Sequence, residues 1–379
     1  MNKPKIAMVA PPIHPVPPRY GAAVEWWMYQ VGLRLQQVEP WIFSIQAPGY
    51  SRYEQTGALR IERIAMGRLY KRLFQKWTRW DPCSYAWRVA RVIRQQGIEQ
   101  VHIHNSPALL TALYRQLGNG YRYILHLHNE MEVTALPEQV LLLTVSEYLA
   151  AWYRQRLPGV RVEVLTNGVD LQLASHPQPW PQSLQVAETP AFLLYGGRIS
   201  PEKGPLELAQ AVLALQAELP AAPRLLIAGG FSEGKATNKR VAYGLALKQL
   251  AAQHPQQVQL LGSLGPEQMY ALYQRASLTI VPSIFEEPLC MVALEAMASG
   301  SPVLVSPRGG MPEYVRDGHT GYLLPAEVNT AAWATRIREV LADPRRLQVA
   351  AQGQAYVQAQ HSWSLVSEAL SRFYLEAAS

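Results

Sequence analysis

Short runs of apolar residues recur along the 379-residue chain: IAMVAPP, WIFSIQ, VHIHN, YILHLH and LLLTVS, then FLLYGG, RLLIAGG, VQLLG, LTIVPS, PVLVS and GYLL. Segments of helical periodicity separate them. Strands that read as nearly continuous apolar runs are buried on both faces, and such strands alternating with helices predict an α/β chain of parallel sheets with crossover helices. The two sets are divided by LQLASHPQPWPQSLQVAETP, whose four prolines and weak periodicity read as a linker. We therefore expect a first domain over 1–172, a linker over 173–190 and a second domain over 191–356. The amphipathic C-terminal stretch, 357–379, is expected to pack back on the first domain. The length suits two cores, and in open α/β sheets ligands bind outside the C-terminal ends of the strands, here in a crevice faced by both domains.

Composition narrows the setting. No run approaches the roughly 18 to 20 apolar residues of a membrane span, and MNKPKIAMVAPP reads as a first strand rather than a secretory signal. Cys83 and Cys290 cannot build a disulfide framework or a zinc site alone, so a cytoplasmic location is expected. The formal charge is +7 and lopsided: through Ser175 there are 20 Lys and Arg against 12 Asp and Glu, and beyond it 15 against 16. The basic first half fits nucleic acid, an anionic membrane or a phosphorylated substrate.

The densest candidate chemistry lies in SIFEEPLCMVALEAMASGSPVLV. A helix starting near Pro288 puts Glu287 at its mouth and Glu295 about two turns in on nearly the same side. Its N-terminus offers backbone N–H groups and partial positive charge to a diphosphate, and carboxylates accept hydrogen bonds from sugar hydroxyls. A bare pair of this kind is commonly two solvated glutamates; context favours a site. Upstream, FLLYGGRISPEKG reads as a buried strand, a turn at Gly196 and Gly197, and then Arg198 and Lys203 five positions apart, two cations suited to phosphates. The spaced third glycine of a dinucleotide fingerprint is missing, which argues against NAD. Gly21 follows the first strand; His104 and Asn105 end one strand, and His126, His128 and Asn129 another.

The pairs His102/His104 and His126/His128 each point two imidazoles to one side of a strand. With no cysteine or clustered carboxylate beside them they read as hydrogen-bonding residues of the cleft rather than metal ligands. The four aspartates, Asp81, Asp170, Asp317 and Asp343, are far apart, so no Asp-x-Asp pair holds a metal on a diphosphate. Charge neutralisation falls to Arg198, Lys203 and the helix, and neither metal nor cofactor is expected.

The segment MGRLYKRLFQKWTRW, Met66 to Trp80, forms a basic amphipathic helix in this reading. Met66, Leu69, Tyr70, Leu73, Phe74, Trp77 and Trp80 share an arc of roughly 140°, with Arg68, Lys71, Arg72, Lys76 and Arg79 opposite. It suits either a membrane interface or packing on its own core. No nucleic-acid-reading motif accompanies the charge.

EPLCMVALEAMASG, RISPEKG, HNE and NGVD resemble the retaining glycosyltransferases of the two-Rossmann-domain GT-B architecture, family 4, over nearly the whole chain. With PPRYGAAVEWWMYQVGLRL and YKRLFQKWTRWDP included, the resemblance narrows to the lipopolysaccharide-core α-1,2-N-acetylglucosaminyltransferases of enteric bacteria. The resemblance implies that Glu295 binds ribose hydroxyls, that Arg198 and Lys203 hold the diphosphate, and that Glu287 holds the donor sugar with the backbone from Pro288 through Leu289 and Cys290 to Met291. It implies His128 beside the reacting sugar and Gly21 and Ala22 close to phosphate or acceptor; Gly21 and Gly197 are expected at the donor, and Arg19, His104, Asn105 and Asn129 at the acceptor. The donor would be UDP-N-acetylglucosamine and the acceptor a lipopolysaccharide core at the inner leaflet, approached through Arg68, Lys71, Arg72, Lys76, Trp77, Arg79 and Trp80. Ala22 and Cys290 depart from the wider family, where glycines are frequent. No nucleophile stands out, so front-face attack is expected, with Glu287 positioning. Another donor sugar, or a silent lipopolysaccharide-binding protein, are the competing readings.

Overall fold

The computed structural model describes residues 3–19, 22–66, 83–134, 136–182, 184, 191–235 and 237–376. The chain forms two compact units, Met1–Gly168 with Trp363–Ser379, and Val169–Ser362.

Among the described residues the first unit has eight strands: β1 (Lys5–Val9), β2 (Glu39–Ile45), β3 (Tyr53–Thr56), β4 (Leu59–Ile64), β5 (Gln100–His104), β6 (Arg122–Leu127), β7 (Val140–Thr144) and β8 (Arg161–Val164). Their order is β3-β4-β2-β1-β5-β6-β7-β8, and every pairing is parallel except β3 with β4. The apolar runs supply the buried inner strands. The β3–β4 hairpin and edge strand β8 are absent from the sequence reading because YEQT, LRIERI and RVEV are rich in charged and polar residues. Serines end the loops that lead into three helices: Ser84, Ser106 and Ser146 accept from the amides of Trp87, Leu109 and Leu149, satisfying N–H groups that a helix start leaves open.

The C-terminal helix Trp363–Glu376 lays Trp363, Val366, Leu370 and Tyr374 into the core of this unit with Trp27, Val31 and Leu35. It starts later than the 357 expected, because residues up to Gln360 finish the preceding helix, Arg346–Gln360.

The second unit carries β9 (Phe192–Gly196), β10 (Arg224–Ala228), β11 (Val258–Gly262), β12 (Leu278–Val281), β13 (Val303–Val305) and β14 (Tyr322–Leu323), all parallel, in the order β11-β10-β9-β12-β13-β14. This is the doubly wound order, with its switch point between β9 and β12. The parallel part of the first sheet repeats it, with β1 and β5 at the switch. The described part of the stretch read as a linker, 173–182 and 184, packs within this unit. Asp170 Oδ1 caps the short helix Leu171–Ser175, accepting from the amides of Gln172 and Leu173 at 3.0 and 3.1 Å. Trp180 and Leu184 join the core. The division therefore falls at Gly168, with Pro177, Pro179 and Pro181 on the second unit's side of it.

Candidate active site

At the C-terminal end of β9 the chain turns through Gly196 and Gly197 to Arg198, which is exposed. Tyr195 fixes the turn from beneath, its hydroxyl donating to the Arg198 carbonyl at 2.7 Å. A 3₁₀ turn, Pro201–Lys203, follows. It can pass under the next loop only because Gly204 adopts φ 69° and carries no side chain: a Cβ there would lie 2.3 Å from the Pro282 carbonyl oxygen.

That loop, 282–290, leaves β12 on the other side of the switch point. Glu287 is buried, and its Oε1 accepts from Lys203 Nζ and from Ser283 Oγ, each at 2.5 Å. The Lys203 ammonium also lies 4.7 Å from the centre of the Phe285 ring. Glu286 turns the other way, pairing with Arg308 at 3.2 Å and accepting from the Gly309 amide at 2.5 Å. The Gly310 amide donates to the Glu287 carbonyl at 2.8 Å. Ser283, Glu286, Arg308 and Gly309 escaped the sequence reading, although the Glu286-Glu287 doublet and the Gly309-Gly310 turn after β13 were their signals.

The helix that follows is Met291–Ala298, so it begins three residues later than expected. Glu287 is not at its mouth. The carboxylate and carbonyl of Glu287 are held by Ser283, Lys203 and Gly310, which keep 282–290 out of helical geometry. Pro288 has no N–H, so amide donors can come only from Leu289 onward. The helix has no side-chain cap at Cys290 and no acidic residue in its first turn, leaving its positive end uncompensated by a carboxylate of its own.

Glu295, in the middle of this helix, is half-buried and accepts from the Tyr273 hydroxyl at 3.3 Å. Burial pushes its carboxyl up to about 7; the Tyr273 hydrogen bond opposes that and the negative charge of Asp170 adds to it. Tyr273 and Asp170 are further residues the sequence reading missed. Tyr273 bridges to the β9 turn, since a Cβ on Gly196 would lie 3.3 Å from its hydroxyl. Cys290 sits between the two glutamate groups, its thiol pushed up to about 12 by burial and by Glu287, against the pull of Lys203. A thiol held up in this way stays protonated, the form that is a poor nucleophile. The switch point thus brings together the β9 turn, two cations, two carboxylates and a helix N-terminus.

In the first unit the strand-end residues divide. Asn105 adopts φ 48°, and its Oδ1 accepts from the His128 amide at 3.2 Å and from Asn129 Nδ2 at 3.5 Å. Asn129 is exposed, and its carbonyl accepts from Tyr153 at 2.9 Å. Arg19 donates to the Pro48 carbonyl at 3.2 Å and helps line a cavity of about 340 Å³ with His14 and Tyr50. His104 is corrected: at 0% exposure it cannot touch an acceptor. Nor are His102 and His126 residues of an open cleft. All three are buried beneath Trp27, whose ring centre is 5.2 Å from that of His104 and 4.8 Å from that of His126. Burial holds His102 and His128 down to about 3 and the other two well below the usual histidine range, so all four are neutral. Gly21 and the cluster Arg68, Lys71, Arg72, Lys76, Trp77, Arg79 and Trp80 lie outside the described residues.

Two doubly wound domains of this order, with cations and carboxylates gathered at the second switch point, have the GT-B fold of glycosyltransferases. Residues 24–173 match the Glycosyltransferase Family 4 model and 178–356 match Glycosyl transferases group 1, and the chain belongs to this glycosyltransferase family. It is 35% identical over 370 residues, 96% of each chain, to the lipopolysaccharide 1,2-N-acetylglucosaminetransferase of Salmonella typhimurium. Among solved structures it is similar to sucrose-phosphate synthase from Thermosynechococcus elongatus, with TM-score 0.75, 21% identity and full coverage of both chains. Anabaena Alr3699/HepE in complex with UDP-glucose is similar at TM-score 0.71 and 17% identity, covering 98% of this chain and 99% of that one. At these identities the two structures speak to the fold alone.

Proposed function

We propose that this glycosyltransferase moves N-acetylglucosamine from UDP-N-acetylglucosamine to a lipopolysaccharide core oligosaccharide, with retention at the anomeric carbon and without a metal on the diphosphate. The observation that carries the reading is the Lys203–Glu287–Ser283 group at the second switch point, beside the N-terminus of Met291–Ala298. The 35% identity to a transferase of that name supports the donor and acceptor.

In this reading Glu295 accepts from the ribose hydroxyls, and Arg198 and Lys203 take the diphosphate, Lys203 exchanging its Glu287 contact for phosphate. Glu287, with Ser283 still on it, accepts from a hydroxyl of the donor sugar. Gly197 lets the phosphates approach the β9 turn, and the amides of Leu289, Cys290 and Met291 face them. The bond from the anomeric carbon to the diphosphate breaks with its electron pair leaving on the phosphate oxygen. Two cations and the helix terminus stabilise that growing charge. The acceptor hydroxyl attacks the face the diphosphate leaves and gives its proton to the departing phosphate. Neutral His128 contacts the reacting sugar, and Arg19, Asn105 and Asn129 contact the acceptor. The basic aromatic segment keeps the enzyme at the inner face of the cytoplasmic membrane; no helix among the described residues is long and apolar enough to cross a membrane.

UDP release tests the reading. It should appear with UDP-N-acetylglucosamine only when truncated lipopolysaccharide is supplied, should not respond to added Mg²⁺, and should yield an α-linked product by NMR. A β-linked product would overturn retention, and release dependent on Mg²⁺ would overturn the metal-free diphosphate.

A further inference from the structure

Sugar transfer makes no use of the imidazoles packed beneath Trp27. His102 and His104 alternate on β5, and His104 lies in direct register with His126 on β6, so all three project from one face of the sheet. One nitrogen from each lies within 4.8 Å of the other two, and all three residues are 0% exposed. His102 Nδ1 meets the Tyr374 hydroxyl at 2.6 Å. His102 Nε2 and both ring nitrogens of His104 and of His126 are buried with no protein partner. A buried polar group left without a partner keeps the cost of its lost hydration, so a cluster of such nitrogens in one place calls for an occupant.

We propose that His102, His104 and His126 form a binding site for one divalent d-block cation of the zinc class, structural in role. Neutral imidazole nitrogens suit zinc and its neighbours, and with no carboxylate in the cluster the site is a poor one for magnesium or calcium. Tyr374 supplies the outer contact that metal-binding histidines characteristically have: accepting from His102 Nδ1, it leaves Nε2 bare for the ion. Zn–N bonds of roughly 2.0–2.1 Å put ligand nitrogens about 3.3 Å apart, so the rings close slightly on the ion, whose fourth place goes to water. The ion would tie β5 and β6 to each other and, through Tyr374, to the C-terminal helix. It lies in the first unit and takes no part in neutralising the donor diphosphate.

The test is metal content and binding, independent of any transferase assay. Full-length protein is stripped with chelator, dialysed, and titrated with Zn²⁺ and with Co²⁺. We expect one ion per chain, visible Co²⁺ ligand-field absorption, and a melting temperature that rises with Zn²⁺. Tyr374→Phe, which keeps the ring in place, should weaken binding about 10- to 100-fold, and His104→Phe should abolish it. Should His104→Phe fail to fold, the wild-type Co²⁺ spectrum and Tyr374→Phe decide alone. No ion at stoichiometry, or binding equal in wild type and variants, would overturn the proposal and leave the cluster to buried water, with any bound metal on surface histidines.

Discussion

Glu295 and the Lys203–Glu287 pair carry opposite electrostatic problems. Burial raises the Glu295 carboxyl from an ordinary 4.5 to about 7, so between those values the folded chain holds a proton that the unfolded chain has lost. Its contribution to stability is therefore greatest at low pH and declines as pH rises toward 7. Ribose hydroxyls donate to the ionised form, so UDP affinity should strengthen from pH 6 to 8, with proton release near pH 6.5 measurable by calorimetry in buffers of different ionisation enthalpy. Glu295→Gln should bind UDP about tenfold more weakly, since hydrogen bonds to a charged group contribute about 1.5–3 kcal/mol, and should lose the pH dependence. An unchanged profile would remove Glu295 from the ribose. Glu287 is buried and depends on Lys203 for a counter-charge. Lys203→Ala should destabilise the chain by about 2 kcal/mol, reduced from the fully buried case because Lys203 is partly exposed, and Lys203→Ala with Glu287→Gln should recover most of that in urea unfolding. Turnover should stay about 10²- to 10³-fold down in both; activity that returned with stability would make the pair structural only.

At the level of elements, the loops after β9, β12 and β13 depend on close backbone approach. Gly309 adopts φ 58°, and a Cβ there would lie 2.0 Å from the Glu287 carbonyl oxygen. Gly309→Ala should cost more than about 2 kcal/mol in urea unfolding and weaken UDP binding by shifting Glu287; UDP affinity equal to wild type would detach this loop from the donor site. Gly196 and Gly197 were legible as a turn, but Gly204 and Gly309 were not, because the contacts that require them come from loops distant in sequence. The helix start was misread for the same reason: Pro288 fits a first helical turn, and only the long-range partners Lys203 and Gly310 show why the helix waits until Met291. Alternation placed the histidines on one face correctly, whereas their burial depends on Trp27 and on Tyr374, which is 272 residues from His102. The basic aromatic segment is argued from sequence alone. Reversing Lys71, Arg72 and Lys76 to glutamate should lower association with anionic vesicles, with the wild-type difference fading as salt rises; equal binding would assign the segment to packing.

For the whole molecule, both sheets follow one plan, and the apolar runs announced it because parallel strands buried on both faces leave continuous apolar signatures. Polar edge elements did not announce themselves, and the division between the units was misplaced because proline-rich sequence packs as readily as it links. The charge is equally modular, with a net of +8 through Ser175 and −1 beyond it, which fits an anionic acceptor on the first unit and a diphosphate handled by a few placed cations on the second. The most direct measurement is transfer from radiolabelled UDP-N-acetylglucosamine, UDP-glucose and UDP-galactose to lipopolysaccharide truncated just before the outer-core branch, with the Lys203→Ala, Glu287→Gln double variant in parallel. Incorporation of N-acetylglucosamine by the wild type alone is the predicted result. Preferential incorporation of another sugar would contradict the donor, and no incorporation from any donor would contradict the acceptor and the account built on it.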